Sequence, residues 1–304
     1  MTARARDQNL SRDQGGVLSA AQLRSLVLPD WFVREQIRVG RWARVGRTAV
    51  ATHNGPLDAQ GRRALAVCDL GPQAALAGVS VLQHLGLTLE GDGFVHVIVP
   101  KGAGPHRVIG VRVHESRRFR DEDVDTAGLR CVRAPVAAVQ AALWSRTDRE
   151  AAFILTLAVQ GRVATPAQLS EALERVRSDR RRVLLMALIV DLEGGVRSLG
   201  ELDVARAMRD RGLPEPERQS VRRRPSGTQY LDADFPAYEI VLEVDGWQHD
   251  RAEHALADCL RDIDLGAEGR TVVRIPLVGW RVGQGEVLDA LERLFRARGW
   301  RPGA

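Results

Sequence analysis

Lysine is almost missing from this chain. Lys101 is the only one among 304 residues, so positive charge rests on arginine. Such a bias partly reflects genome composition, which argues against reading every arginine as a phosphate clamp. Cysteine is scarce too: Cys68, Cys131 and Cys259 are odd in number and far apart. That spacing supports neither a disulfide framework nor a paired-thiolate metal site. No apolar run approaches the roughly 18 residues needed to cross a bilayer. The longest candidate, "RVLLMALIVDL", ends in charge. The opening "MTARARDQNLSRDQGG" has no apolar stretch of the kind a secretory leader needs. These absences predict a cytoplasmic protein with no membrane partner.

Core-forming material is ample, with 44% hydrophobic and 27% charged residues. The length exceeds what one ordinary core takes and predicts two or three domains. A net charge of +5 is compatible with a polyanionic partner without establishing one.

The first segment reads as helix, turn, helix and hairpin. In "LSAAQLRSL", Ser19 is placed as an N-cap before apolar residues with one buried face. "LPD" breaks the chain and Asp30 is placed to cap a second helix, "WFVREQIRVGRW". "ARVGRTAVAT" then alternates around a glycine turn, as a small wing does. On the second helix Val33 and Ile37 point one way. Arg34, Arg38 and Arg41 fall on another face, and Arg44 and Arg47 extend the basic stripe into the wing. A winged helix-turn-helix needs such a helix for the major groove and arginines for phosphates or guanine edges. A solvated helix in an arginine-rich chain would look the same. Residues 15–52, with Gly40, Arg41, Trp42, Arg44 and Val45 at the step into the wing, resemble the N-terminal domain of AbiEi-type abortive-infection antitoxins. The resemblance implies DNA binding, usually at the system's own promoter, and a cognate toxin as partner.

Beyond it, "DAQGRRALAVCDLGPQAALAGVSVLQHLGL" reads as two alanine-rich helices around a Gly-Pro break. "GFVHVIVPKG" and "GVRVHESRRF" read as strands around a Gly/Pro/His turn. They carry His96 and His114, which read as ordinary sheet residues because no carboxylate shares their face. From "PVAAVQAALWSR" to residue 192 the pattern is helical, with Thr165 and Ser178 placed as caps. Arg180, Arg181 and Arg182 read as a solvated helix start.

The last third concentrates acids. "RSLGELDVARAMRDRGLPEPERQ" is a helix with Ser198 and Glu201 at capping-box spacing, a sufficient structural reason for both. "TQYLDADF" places Asp232 and Asp234 on one face of a strand. After a turn at Pro236 and Ala237, "YEIVLEVDGW" reads as a buried central strand with Glu243 and Asp245 at its end. A carboxylate there is costly unless a partner or a cation neutralises it. A divalent metal does so, since Mg²⁺ takes oxygen ligands and keeps waters. Glu201, Asp232, Glu243 and the Val244 carbonyl are the candidate ligands. His249 is placed as general acid or base, or as a phosphate contact. Arg222, Arg223 and Arg224 precede the site strand and suit backbone phosphates. Tyr230 and Tyr238, the only tyrosines, suit packing better than base stacking.

Residues 196–298 resemble the nuclease-like domain related to very-short-patch repair endonucleases, within the PD-(D/E)xK superfamily. The resemblance rests on Ser198, Glu201, Asp232, Pro236, Glu243, Val244, Asp245, Gly246 and His249, then Asp258, Arg261, Asp262 and "RTVVRI". It implies a restriction-endonuclease-like fold hydrolysing DNA phosphodiesters with Mg²⁺ or Mn²⁺. The superfamily's usual lysine is replaced by Asp245. The related repair group also lacks that lysine and has a nearby histidine, so His249 is its candidate substitute. Arg261 supplies charge but no base, and Asp245 reads as a ligand, an orienter, or a structural acid paired with Arg261. The expectation is an α/β multidomain protein: a winged helix at 1–56, a linking α/β and helical region at 57–192, and a nuclease domain at 193–304. Its rival is a non-enzymatic DNA-binding regulator whose nuclease fold is inactive.

Overall fold

A computed structural model describes residues 13–193, 197–216, 218–223, 229–245, 263, 265–267 and 269–302, with backbone alone at 197–203, 218–223, 229–232 and 245. His249, Arg224, Arg261, Asp258 and Asp262 lie outside the described residues. The chain forms two compact units, one from 1–146 and 154–179, the other from 147–153 and 180–304. The segment expected as a separate winged helix thus shares a unit with most of the middle region, and residues 180–192 belong with the C-terminal unit.

In the first unit β1 (Val17–Ser19), β2 (Ala43–Arg44) and β3 (Ala49–Ala51) form an antiparallel sheet of order β1-β3-β2. Between them lie α1 (Ala20–Ser25) and α2 (Asp30–Arg38). Ser19 caps α1 as its sequence predicts: Gln22 N donates to Ser19 Oγ at 3.2 Å, and Ser19 N to Gln22 Oε1 at 2.8 Å. The cap of α2 is Pro29, extended at φ −63° and ψ 142°, and Asp30 is the first helical residue. There the acid favours the positive helix end without capping it. Val33, Ile37 and Trp42 pack on Leu18, Leu23 and Val50, so the predicted apolar face of α2 is real.

Helix α3 (Ala59–Leu70) is capped by Asp58, whose Oδ1 accepts from Gly61 N at 2.6 Å. Its far end ties down the segment between β2 and β3 through buried Asp69, which accepts from Thr48 N at 2.8 Å and lies 3.1 Å from His106 Nε2. The next alanine-rich stretch departs from the helical expectation. Ala75–Leu76 form strand β4, fully buried ahead of α4 (Val79–His84). Here sheet pairing outweighs the helix propensity of alanine.

Strands β5 (Val95–Pro100), β6 (Val111–Ser116), β7 (Val124–Asp125) and β8 (Cys131–Val132) complete a sheet of order β6-β5-β4-β8-β7. β5 and β6 run parallel, with His96 opposite Arg112 and Ile98 opposite His114. The Gly/Pro/His segment is therefore a crossover and not a hairpin turn. Lys101 follows β5, 59% exposed at the side chain and 3.4 Å from Glu115.

Helices α5 (Ala134–Trp144), α6 (Asp148–Gln160) and α7 (Pro166–Glu174) follow. Thr165 caps α7 in a capping box with Gln168, as expected. Helix α8 (Arg182–Glu193) begins well after Ser178, which instead offers its carbonyl to Arg118. Arg181 is not solvated: it is 4% exposed and its Nε donates to Asp148 Oδ1 at 2.8 Å.

The histidine pair is more than sheet packing. His114 Nε2 and His96 Nδ1 are 3.0 Å apart, and His96 Nε2 reaches Asp92 Oδ1 at 3.0 Å. That carboxylate comes from the loop before β5, which strand alternation does not reveal. His114 stacks on Trp144 at 3.6 Å and 2°. Burial first, then the neighbouring His96 and Arg112, push the His114 pKa down to about 4.

In the second unit α9 (Arg197–Asp210) leads to β9 (Arg218–Arg223), β10 (Gln229–Phe235), β11 (Ile240–Asp245) and β12 (Thr271–Pro276), closed by α10 (Leu277–Ala297). Sheet order is β12-β11-β10-β9, antiparallel except for the parallel β11–β12 pair. Phe235, Ile240, Leu242 and Ile275 meet Trp280, Leu291 and Phe295 of α10, with Val204 and Met208 of α9, in one core. β11 is the buried central strand that its composition predicts. Among the described residues no helix is long and apolar enough to cross a membrane.

Two outcomes follow. Asp69→Ala removes the buried carboxylate that accepts from Thr48 N and should cost about 1.5–3 kcal/mol, the range for a hydrogen bond to a charged group, read as a lower denaturation midpoint. Gly46→Ala drives a methyl into the Asp69 carboxylate, so its own cost should shrink on the Asp69→Ala background. For His114, the folded pKa near 4 lies below the usual 6.5. The unfolded chain therefore takes up that proton first as pH falls. The stability contribution is complete above 6.5 and is lost towards 4. His114→Phe should flatten the pH dependence of thermal unfolding across that window.

Candidate active site

The β-register builds the site. Asp232 on β10 lies directly opposite Glu243 on β11, and Asp234 opposite Val241. Directly opposed positions share a face, with Cβ atoms about 4.5–5.5 Å apart. Asp232, Asp234, Glu243 and Asp245 thus occupy positions on one face, while Phe235, Ile240 and Leu242 take the other and fill the core. The alternation expected from "LDADF" and "IVLEVD" is what the strands adopt.

Glu243 is 5% exposed and so needs positive charge nearby. Arg274, its partner position on β12, donates Nε to Glu243 Oε2 at 3.2 Å. Asp234 is met by the Arg270 guanidinium. Neither arginine was among the expected site residues, although "RTVVRI" was. The available signal was period-2 alternation: Arg274 interrupts an apolar strand at the position facing Glu243.

Val244 takes the core-facing side of β11, packed against the apolar cluster, and its carbonyl belongs to the same strand. Glu201 is carried by α9. Helix α9 already runs at Arg197, so Ser198 and Glu201 stand within it and not at a cap. Of the arginine triplet, Arg222 lies opposite Tyr230 and Arg223 opposite Gln229. Among the described residues no group of three or more His, Cys, Asp or Glu is placed to hold a metal.

In the first unit Arg34, Arg38, Arg41, Arg44 and Arg47 are all exposed, but α2 ends at Arg38, so Arg41 lies beyond the helix that the sequence predicts to run to Trp42. Arg38 is engaged by Glu35 at 2.7 and 2.8 Å, which holds the Glu35 carboxyl below its usual range. Trp31, 70% exposed, stands on the same helix. Among the described residues, burial pushes the Cys68 thiol up to about 12 and the Cys131 thiol up to about 11, which disfavours either as a nucleophile.

The Glu243–Arg274 pair yields a stability test. Arg274→Ala should cost about 1.5–3 kcal/mol, the range for a lost hydrogen bond to a charged group. Removing the charge as well, with Glu243→Gln, should recover part of that loss in a double-mutant cycle.

No family model matches this chain, and no curated protein matches it.

Proposed function

We propose that the second unit is a metal-dependent DNA endonuclease, brought to DNA by the arginine-bearing first unit. The observation that carries the reading is the Asp232–Glu243 register, which sets two carboxylate positions face to face across neighbouring strands. The donor set suits a hard divalent cation: carboxylates, one of them on a buried central strand, and a main-chain carbonyl. Asp232, Glu243, Glu201 and the Val244 carbonyl would hold Mg²⁺ or Mn²⁺, which supplies Lewis acidity and an activated water. Arg274 keeps positive charge beside Glu243 and is a second candidate for meeting the charge of a phosphate. His249 retains its assigned role in proton transfer or phosphate contact, and Arg44 and Arg47 join Arg34 and Arg41 as contacts to the duplex backbone.

A second reading is favoured by one specific observation. Glu243 already has a guanidinium partner, so its burial is accounted for without a metal. A non-enzymatic DNA-binding regulator would keep that pair as scaffolding.

Plasmid and mismatched duplex are incubated with Mg²⁺ or Mn²⁺ and either the wild-type chain or an Asp232→Ala, Glu243→Ala variant. Strand cleavage should appear with wild type and fall at least about 100-fold in the variant, as loss of a main catalytic group does. Equal cutting by both proteins, or binding without cutting by the wild type, sinks the nuclease reading.

A further inference from the structure

Away from the carboxylate sheet, the first unit holds a cleft of about 290 Å³ between the ends of β5 and β6, helix α5, and the segment leaving α7. Five arginines line it (Arg117, Arg118, Arg120, Arg175 and Arg177) against a single carboxylate, Asp123. Asp123 is 5% exposed and already committed, with Arg175 Nη1 at 2.5 Å and Arg133 Nη2 at 3.5 Å. Arg175 is further held by Glu171 at 2.8 Å, and Arg120 by Glu122 at 3.0 Å.

Three cations are left over. Among the described residues no carboxylate lies within ion-pair distance of Arg117, Arg118 or Arg177. Arg118 is nonetheless oriented: its Nη2 donates to Ser178 O at 3.0 Å. A neutral carbonyl fixes the guanidinium plane and leaves its charge uncompensated. Gln140 and Trp144 of α5 close one wall, and one face of the Trp144 ring is already taken by His114.

We propose that this cleft binds phosphate groups. Guanidinium forks gathered around one cleft match the oxygens of a phosphate better than those of any neutral ligand. Concave low-dielectric walls strengthen the attraction beyond that of an open surface. The volume falls just below the usual range of ligand pockets, about 300–1,000 Å³, which suits a phosphate or pyrophosphate moiety and not a large cofactor. The phosphate comes either from a DNA backbone or from a small phosphorylated molecule. This inference is independent of the nuclease reading.

The test uses the full chain carrying Arg117→Gln, Arg118→Gln and Arg177→Gln. All three positions are exposed, and thermal unfolding of the variant is measured to check that the fold is kept. Binding of a labelled duplex is followed across a NaCl series, and binding of pyrophosphate by calorimetry. Each phosphate contact contributes about 0.9 to the salt slope, so the triple variant should lower it by about 2–3. That result supports the cleft with DNA as the source. An unchanged slope with pyrophosphate binding weakened at least about 10-fold supports it with a small ligand as the source. No change in either measurement overturns it. A parallel Arg34→Gln, Arg41→Gln, Arg47→Gln variant separates the two DNA claims: a slope that falls only there refutes a DNA-binding cleft and keeps the stripe. A slope that falls only in the cleft variant does the reverse.

Discussion

Buried carboxylates have to be answered by positive charge, and for three of the four buried ones among the described residues the answer is guanidinium. Glu243 leans on Arg274, Asp191 on Arg281 at 3.1 Å, and Asp123 on Arg175. The burial is reversed in one pair, where the buried Arg181 is answered by the exposed Asp148. Each pair joins residues distant in sequence, so each closes a long loop. Removing one partner leaves the other charged and poorly solvated. The fold therefore depends on a few inward-facing ions as well as on its aliphatic core. Arginine suits this work because its planar fork keeps its proton and is weakly hydrated.

That constraint also decides how the carboxylate sheet should be read. On the alternation of β10 and β11 alone, a metal is the direct solution for acids crowded at a buried strand. The Arg274 partner supplies a second solution, and the two are compatible: a guanidinium on one oxygen leaves a carboxylate able to share another with a cation. What separates a working site from a scaffold is chemistry measured on DNA, since the strand register serves both.

Local signals were legible wherever they were strong. Ser19 with Gln22 and Thr165 with Gln168 are short-range hydrogen-bonding pairs, and each starts its helix as its spacing predicts. The "IVLEV" run became a central strand, with Ile240, Val241 and Leu242 buried in succession. Failures arose where distant chain decided the outcome. Ala75–Leu76 became a strand because β5 and β8 flank it. The β5–β6 crossover followed from a pairing direction that alternation does not encode. Asp92 reached His96 from a loop, and Arg274 reached Glu243 through a parallel strand. Periodicity names the face of a strand but not its neighbour.

The near-absence of lysine leaves Lys101 as the sole side-chain amine, set on the loop after β5 and mostly open to solvent. A reagent that acylates primary amines meets one side-chain target there, and Glu115 is the only acid it disturbs among the described contacts. A reporter dye or surface linker attached at that amine would mark the first unit without engineering, leaving every guanidinium untouched.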